Sequence, residues 1–176
     1  MIVCAGDIEQ FSFATPIGVG LVKSAIHLTR LILMNPPEFL VFVGTAGSYG
    51  RKNIFDIIES RTAANIEHSF LLQTAYTPLD NVVSASENVS HETIINSSNY
   101  ITTSKEVAQM YLKLNIDLEN MEFFSVINVA QEFQIPVAGI FIVTNYCNED
   151  AHSDFKKNHS EAMQRLEKYI LKKGLV

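Results

Sequence analysis

The stretch Phe39-Leu-Val-Phe-Val43, followed at once by Gly44-Thr-Ala-Gly-Ser48, decides the fold. Five apolar residues in a row, two of them β-branched and two aromatic, read as a strand buried on both faces, which Gly44 and Gly47 are expected to end. Two glycines let the backbone turn tightly and approach a ligand, Thr45 and Ser48 offer hydroxyls, and loop amides can point at an anion. Plain turn chemistry at a strand end uses the same residues, so both readings stand at this point.

Upstream, Ile2 to Ala5 reads as a short buried strand, and Gly6-Asp-Ile-Glu-Gln10 as the loop at its carboxyl end. Such loops form the ligand crevice of open α/β sheets, which makes Asp7 and Glu9 either site carboxylates or solvated loop acids. From Leu21, apolar residues including Val22, Ala25, Ile26, Leu28, Ile32 and Leu33 fall largely at helical spacing, until Asn35-Pro-Pro37 stops the helix.

Downstream, Ile54–Ile58 and Ser69–Leu72 are expected as strands, and Thr77–Glu92 as a lid, a subunit-contact loop or plain surface. Thr93–Ile95 reads as a strand, and Thr103 with Glu106 as the capping box of a helix through Leu114. A second, largely apolar helix opens near Met121-Glu122 and runs to Phe133, buried against the sheet and against a second subunit. Pro136 leads the strand Val137–Val143, which ends at Thr144-Asn145, and a last helix runs from after Ser153 to Lys173, with Gly174 as its stop signal. Alternating strands and helices predict one domain over residues 1–176: a three-layer α/β/α sandwich with a mixed central sheet.

Composition narrows the function. Thirteen basic against 19 acidic residues leave a net charge of -6 with no basic block, which argues against nucleic acid as a partner. Cys4 and Cys147 stand in no paired spacing and read as reduced thiols of a cytoplasmic protein. No run approaches a membrane span. Glu149, Asp150, His152 and Asp154 lack a metal-ligand spacing and read as a loop and helix cap, so no metal is expected.

Three pieces occur in a fixed order: Val43-Gly-Thr-Ala-Gly47, Asn120-Met-Glu122 opening a buried helix, and a Pro136-led strand ending Val143-Thr-Asn145. Together they resemble the superfamily of purine nucleoside phosphorylase, uridine phosphorylase and methylthioadenosine nucleosidase, over the chain from about Pro16 onward. The nearest likeness expected within it is a short bacterial purine nucleoside phosphorylase. The resemblance implies a sugar or phosphate contact at Gly44, Thr45, Ala46 and Gly47. It places Met121 against ribose, with Glu122 accepting from the ribose hydroxyls and Asn120 a further substrate-binding residue. Tyr100 would stack on the base, and Asn145 would sit at its N7 and O6 edge.

Cleavage of a ribosyl C–N bond passes through an oxocarbenium-like state, which a carboxylate near the sugar and a donor at the base both stabilise. A neutral amide at position 145 donates to N7 or O6, which favours 6-oxopurines such as those of inosine and guanosine. The resemblance therefore implies a 6-oxopurine nucleoside phosphorylase of purine salvage, with phosphate as co-substrate, no cofactor and a homo-oligomeric (dimeric or hexameric) assembly. Two alternatives stand beside it. One is a nucleosidase that uses water positioned by Glu9, of the methylthioadenosine/S-adenosylhomocysteine or futalosine type; the other is a non-catalytic nucleoside-binding subunit. The hexameric phosphorylases carry two phosphate-binding arginines, one in the loop where this chain has Ile8 and Glu9 and one where it has Phe42. Lys23, Arg30, Arg51 or a neighbouring subunit would have to supply that charge.

Overall fold

The computed structural model describes residues 1–85 and 92–176. Strands β1 (Ile2–Cys4), β2 (Thr15–Pro16), β3 (Leu40–Ser48), β4 (Ile57–Ser60), β5 (Thr62–Ala64), β6 (Val82–Ser84), β7 (Ile94–Ser97), β8 (Ile116–Asn120) and β9 (Val137–Tyr146) form a single mixed sheet. β3 lies at its centre, parallel to β1 and β9 and antiparallel to β8. The helices are α1 (Leu21–Met34), α2 (His68–Leu71), α3 (Lys105–Lys113), α4 (Phe123–Glu132) and α5 (Ala151–Lys173).

The alternation of side chains along β3 and β9 makes the three layers. Phe42, Phe141 and Val143 face one side, where they pack with Leu28 and Ile32 of α1 and with Phe123, Val126, Ile127 and Ala130 of α4. Val41, Val43, Ile140 and Ile142 face the other, against Ala162, Leu166 and Ile170 of α5. A smaller cluster packs Ala108 and Tyr111 of α3 on Ala64, Ile66 and Ile116. The expected sandwich with a mixed sheet is the observed one. No helix of the described residues is long and apolar enough to cross a membrane.

The central strand does not stop at Val43. β3 runs on through Gly44, Thr45, Ala46 and Gly47 to Ser48, because β9 pairs with it residue by residue, with one irregularity between Ala46 and Gly47. The glycine stretch is thus a buried strand segment rather than a loop, and β9 likewise continues through Asn145 to Tyr146. On its other edge β3 meets β1 only at Val41 and Phe42, and β8 only at Gly47 and Ser48. Between those contacts the two neighbours part, and a crevice opens over Gly44–Ala46.

Other expectations need correction. Ser69–Leu72 is not a strand: its residues lie in α2 and at the cap that follows it. β8 was not foreseen at all, since Asp117 and Glu119 interrupt its apolar residues. Ser104, not Thr103, caps α3, its Oγ accepting from Val107 N–H at 3.3 Å. α5 begins at Ala151, ahead of Ser153. Val22, Ile26 and Leu33 of α1 point outward at 65, 60 and 70 % exposure, while Ser24, Leu28 and Ile32 form its buried face. Of the Thr77–Glu92 stretch, β6 is a strand and residues 86–91 lie outside the described residues.

Candidate active site

The crevice is a cavity of about 270 Å³. It opens at the carboxyl ends of β1 and β3 and is closed on its far side by the β8–α4 junction, β9 and the first turn of α5.

Glu9 reaches it through a tight turn. Gly6 and Asp7 both take positive φ, and the Gly6 and Glu9 backbones exchange hydrogen bonds of 3.2 and 2.9 Å, which folds the loop back over β3. The half-buried Glu9 carboxylate then accepts from Thr45 N–H at 3.1 Å and from the Thr45 hydroxyl. A strand amide without a ladder partner on that edge is satisfied by a side chain. Gly44 makes room for it: a Cβ there would stand 2.9 Å from Glu9 Oε2. Burial raises the proton affinity of Glu9, and the two Thr45 donors oppose it.

Glu122 stands at the start of α4. Its carboxylate accepts from Gly20 N–H at 2.9 Å, Met121 N–H at 3.2 Å and Asn120 Nδ2 at 3.4 Å. Burial pushes its pKa up to about 7 despite the Gly20 donor, and the charge of Glu9 adds to the rise. The two acids therefore face one electrostatic environment although they stand 113 positions apart in the chain. Asn120 lines the cavity, but its amide is engaged within the protein, its Oδ1 accepting from Ser97 Oγ at 2.7 Å and Phe123 N–H at 3.3 Å.

At the opposite end, Asn145 lies on β9. Its Oδ1 accepts from Thr144 Oγ1 at 2.8 Å, which turns Nδ2 the other way, to donate one hydrogen to Tyr146 O at 3.2 Å. The second amide hydrogen has no protein acceptor among the described residues. Tyr100, Ile101, Ala151 and Phe155 supply apolar and aromatic surface to the cavity. Tyr100 is 78 % exposed, at the rim.

Of the residues expected from the sequence, Glu9, Thr45, Ala46, Gly47, Tyr100, Asn120, Met121, Glu122 and Asn145 all line this one cavity. Gly44 does not line it, lying instead beneath the Glu9 carboxylate. Lys23, Arg30 and Arg51 are not among the lining residues; Arg51 is bound to Asp117 at 2.9 Å and to Leu112 O at 2.8 Å. Sequence reasoning missed Glu119, Thr144 and Phe155. Glu119 carried one usable signal, an acid on the strand leading directly into Asn120-Met-Glu122.

The acid-rich crevice at the strand ends, one wall of it apolar and aromatic, stands where open α/β sheets bind their ligands. The chain belongs to the phosphorylase superfamily, whose family model matches residues 2–173. No curated protein matches it. Among solved structures it is similar to Helicobacter pylori 5′-methylthioadenosine/S-adenosylhomocysteine nucleosidase complexed with a substituted pyrrolidin-3-ol. The identity is 17 %, the match covers 97 % of this chain and 95 % of that one, and the TM-score is 0.80. Native H. pylori futalosine hydrolase is similar at 18 % identity, 96 and 94 % coverage and a TM-score of 0.79. The Streptococcus pneumoniae nucleosidase with a transition-state inhibitor matches at 14 %, 97 and 95 %, and 0.77. At these identities the likeness is one of fold.

Proposed function

We propose that this chain is a purine nucleosidase that cleaves the N-glycosidic bond of 6-oxopurine nucleosides with water. One observation carries the choice of water over phosphate. Glu9 is anchored on Thr45 in a cavity whose described lining residues include Asp7, Glu9, Glu119 and Glu122 but no lysine or arginine. A phosphate dianion would find no cationic lysine or arginine among the described lining residues, whereas a water molecule meets a base. Phosphorolysis, the reading the sequence favoured first, needs a cation from a partner subunit. The likeness of this chain's fold to solved structures of a nucleosidase and of futalosine hydrolase supports hydrolysis.

In this reading ribose lies between Glu9 and Glu122, and Glu122 accepts from its hydroxyls. The purine lies against Tyr100, Ile101 and Phe155, with the free N–H of Asn145 directed to N7 or O6. As the C1′–N9 bond breaks, its electron pair leaves with the base, and the two carboxylates stabilise the cationic sugar. Water adds to C1′ and gives a proton to Glu9. The products are free base and ribose.

The test follows base and sugar release from inosine, guanosine and adenosine, with and without phosphate. Hydrolysis predicts base and free ribose without phosphate, fastest from the 6-oxopurines. Ribose 1-phosphate, formed only when phosphate is present, would overturn it. The homo-oligomer expected from the sequence belongs to the same proposal. Its supporting surface is the exposed apolar row Val22, Ile26 and Leu33 on α1, and the native mass in solution tests it.

A further inference from the structure

Among the described residues one buried side-chain nitrogen or oxygen has no hydrogen-bond partner: Nε2 of His159, on α5. A buried polar atom is costly to leave unpaired, and a neutral imidazole always keeps one nitrogen as an acceptor. The fold thus holds a proton acceptor in an enclosed place.

Three elements confine it. On α5, His159 stands one turn after Phe155, which lines the crevice, and one turn before the core residues Ala162 and Met163; the Phe155 and His159 rings meet with centroids 5.1 Å apart. His159 is not itself a lining residue, so it sits one layer behind the wall. On the sheet, Thr45 follows Val41 and Val43 in the alternation of β3, which turns its hydroxyl toward α5. In the loop after β1, Phe11 packs into the same cluster as Ala162 and Leu166, which brings the chain beside Glu9 onto this helix. These contacts set His159 behind the crevice wall on the side where Glu9 is anchored to Thr45. Burial raises the proton affinity of Glu9, and the Thr45 donors and the charge of His159 oppose it. Cys4 of β1 lies in the same cluster with its thiol kept neutral by burial, and Lys156 and Lys157 of α5 are exposed.

We propose that His159 is the proton outlet of Glu9, taking the proton that water leaves on the carboxyl and passing it to solvent, so that Glu9 is a base again for the next turnover. It acts through Glu9 and touches neither sugar nor purine. The Glu9 O–H bond breaks as an N–H bond forms at Nε2, directly or across one water, which leaves a carboxylate beside an imidazolium. The imidazolium then gives one proton to solvent, which the ring can reach because His159 as a whole is partly exposed. With sugar over the crevice side of Glu9, the route behind the wall is the one left open. The inference rests on the nucleosidase reading, and the test separates the two.

Hypoxanthine release from inosine is followed without phosphate, in the first turnover and at steady state, for the wild-type protein and for His159→Phe, which keeps a ring against Phe155 but has no nitrogen. The variant is expected to release about one equivalent per site at the wild-type rate and then to slow, kcat falling by about 10-fold or more while kcat/KM stays within about twofold. Added imidazole, a small proton carrier, is expected to restore the steady-state rate of the variant and to leave the wild type unmoved. His159→Gln, polar but without a titratable nitrogen, is expected to behave in the same way and serves as the test if His159→Phe does not fold. An unchanged kcat in a folded variant, or a fall in kcat and kcat/KM together with no burst and no response to imidazole, would overturn the outlet and leave the nucleosidase reading standing. A wild-type protein that releases no base without phosphate would remove that reading and the outlet with it.

Discussion

Glu122 links the pH of the solution to both stability and binding. Its ordinary pKa is 4.5 and burial lifts it to about 7 in the fold, so the folded chain holds this proton more tightly than the unfolded one. The stabilisation is complete below about pH 4.5 and is lost as pH rises through 7, a cost of about 3 kcal/mol at ~1.4 kcal/mol per pKa unit. Thermal unfolding of the free protein is thus expected to move down between pH 5 and 8, and Glu122→Gln to make that slope shallower. Glu9 and Glu119 are raised in the same direction and keep the slope from vanishing. In the proposed reading binding runs the other way, because ribose hydroxyls would donate to the ionised carboxylate: KM is expected to fall as pH rises through 7, and a flat KM profile would remove Glu122 from that contact. Glu9→Gln should lower kcat by about 100-fold or more, with the unfolding temperature unchanged or higher, since a buried charge is removed. Glu9, Glu122 and Asn145 were legible as residues because each ends a recognisable run. Glu119 was not, because an acid within a strand pattern reads as a reason to doubt the strand.

The elements explain why these side chains meet. An apolar run predicts that β3 exists, but not where its pairing ends; that depends on β9, nearly 90 residues downstream, which holds Gly44–Ser48 in register. Likewise the alternation Ile116-Asp-Leu-Glu-Asn120 makes sense only with β7 and β3 on either side of it, each supplying partners for its amides. α2 is too short to show a period, so the Ser69–Leu72 run was open to the wrong assignment. Two glycine substitutions separate what the strands do for the site from what they do for the core. Gly44→Ala places a methyl 2.9 Å from Glu9 Oε2 and 3.1 Å from Phe42 Cε1, so it should push the carboxylate off Thr45. Its expected signature is a fall in kcat of about 10-fold or more with the protein still folded. Gly139→Ala on β9 meets the Phe123 ring at 2.7 Å and the Phe141 ring as well, both fixed in the core. That overpacking should cost about 1–3 kcal/mol in denaturant unfolding, and an unchanged midpoint would mean that the two rings can move.

At the scale of the whole molecule, the cavity draws on distant parts of the chain: the loop after β1, β3, the loop after β7, the β8–α4 junction, β9 and the start of α5. No short segment contains the site, so unfolding any part of the central sheet abolishes it. A ligand that binds there consequently stabilises the entire fold by mass action, by RT ln(1 + [L]/Kd), about 2.7 kcal/mol at a hundredfold excess over Kd. For a chain of 176 residues that corresponds to a rise of roughly 5–10 °C in Tm. Hypoxanthine is the probe, because binding the free base needs no turnover and, in the proposed reading, engages only the Asn145 and Tyr100 end of the cavity. The wild-type protein is expected to show this shift, and Glu122→Ala, which empties the sugar end, to keep most of it. Asn145→Ala removes the amide donor from the base edge and should reduce the shift by half or more. A shift in the wild type that Asn145→Ala leaves intact would place the base elsewhere and with it reverse the orientation assigned to the whole cavity.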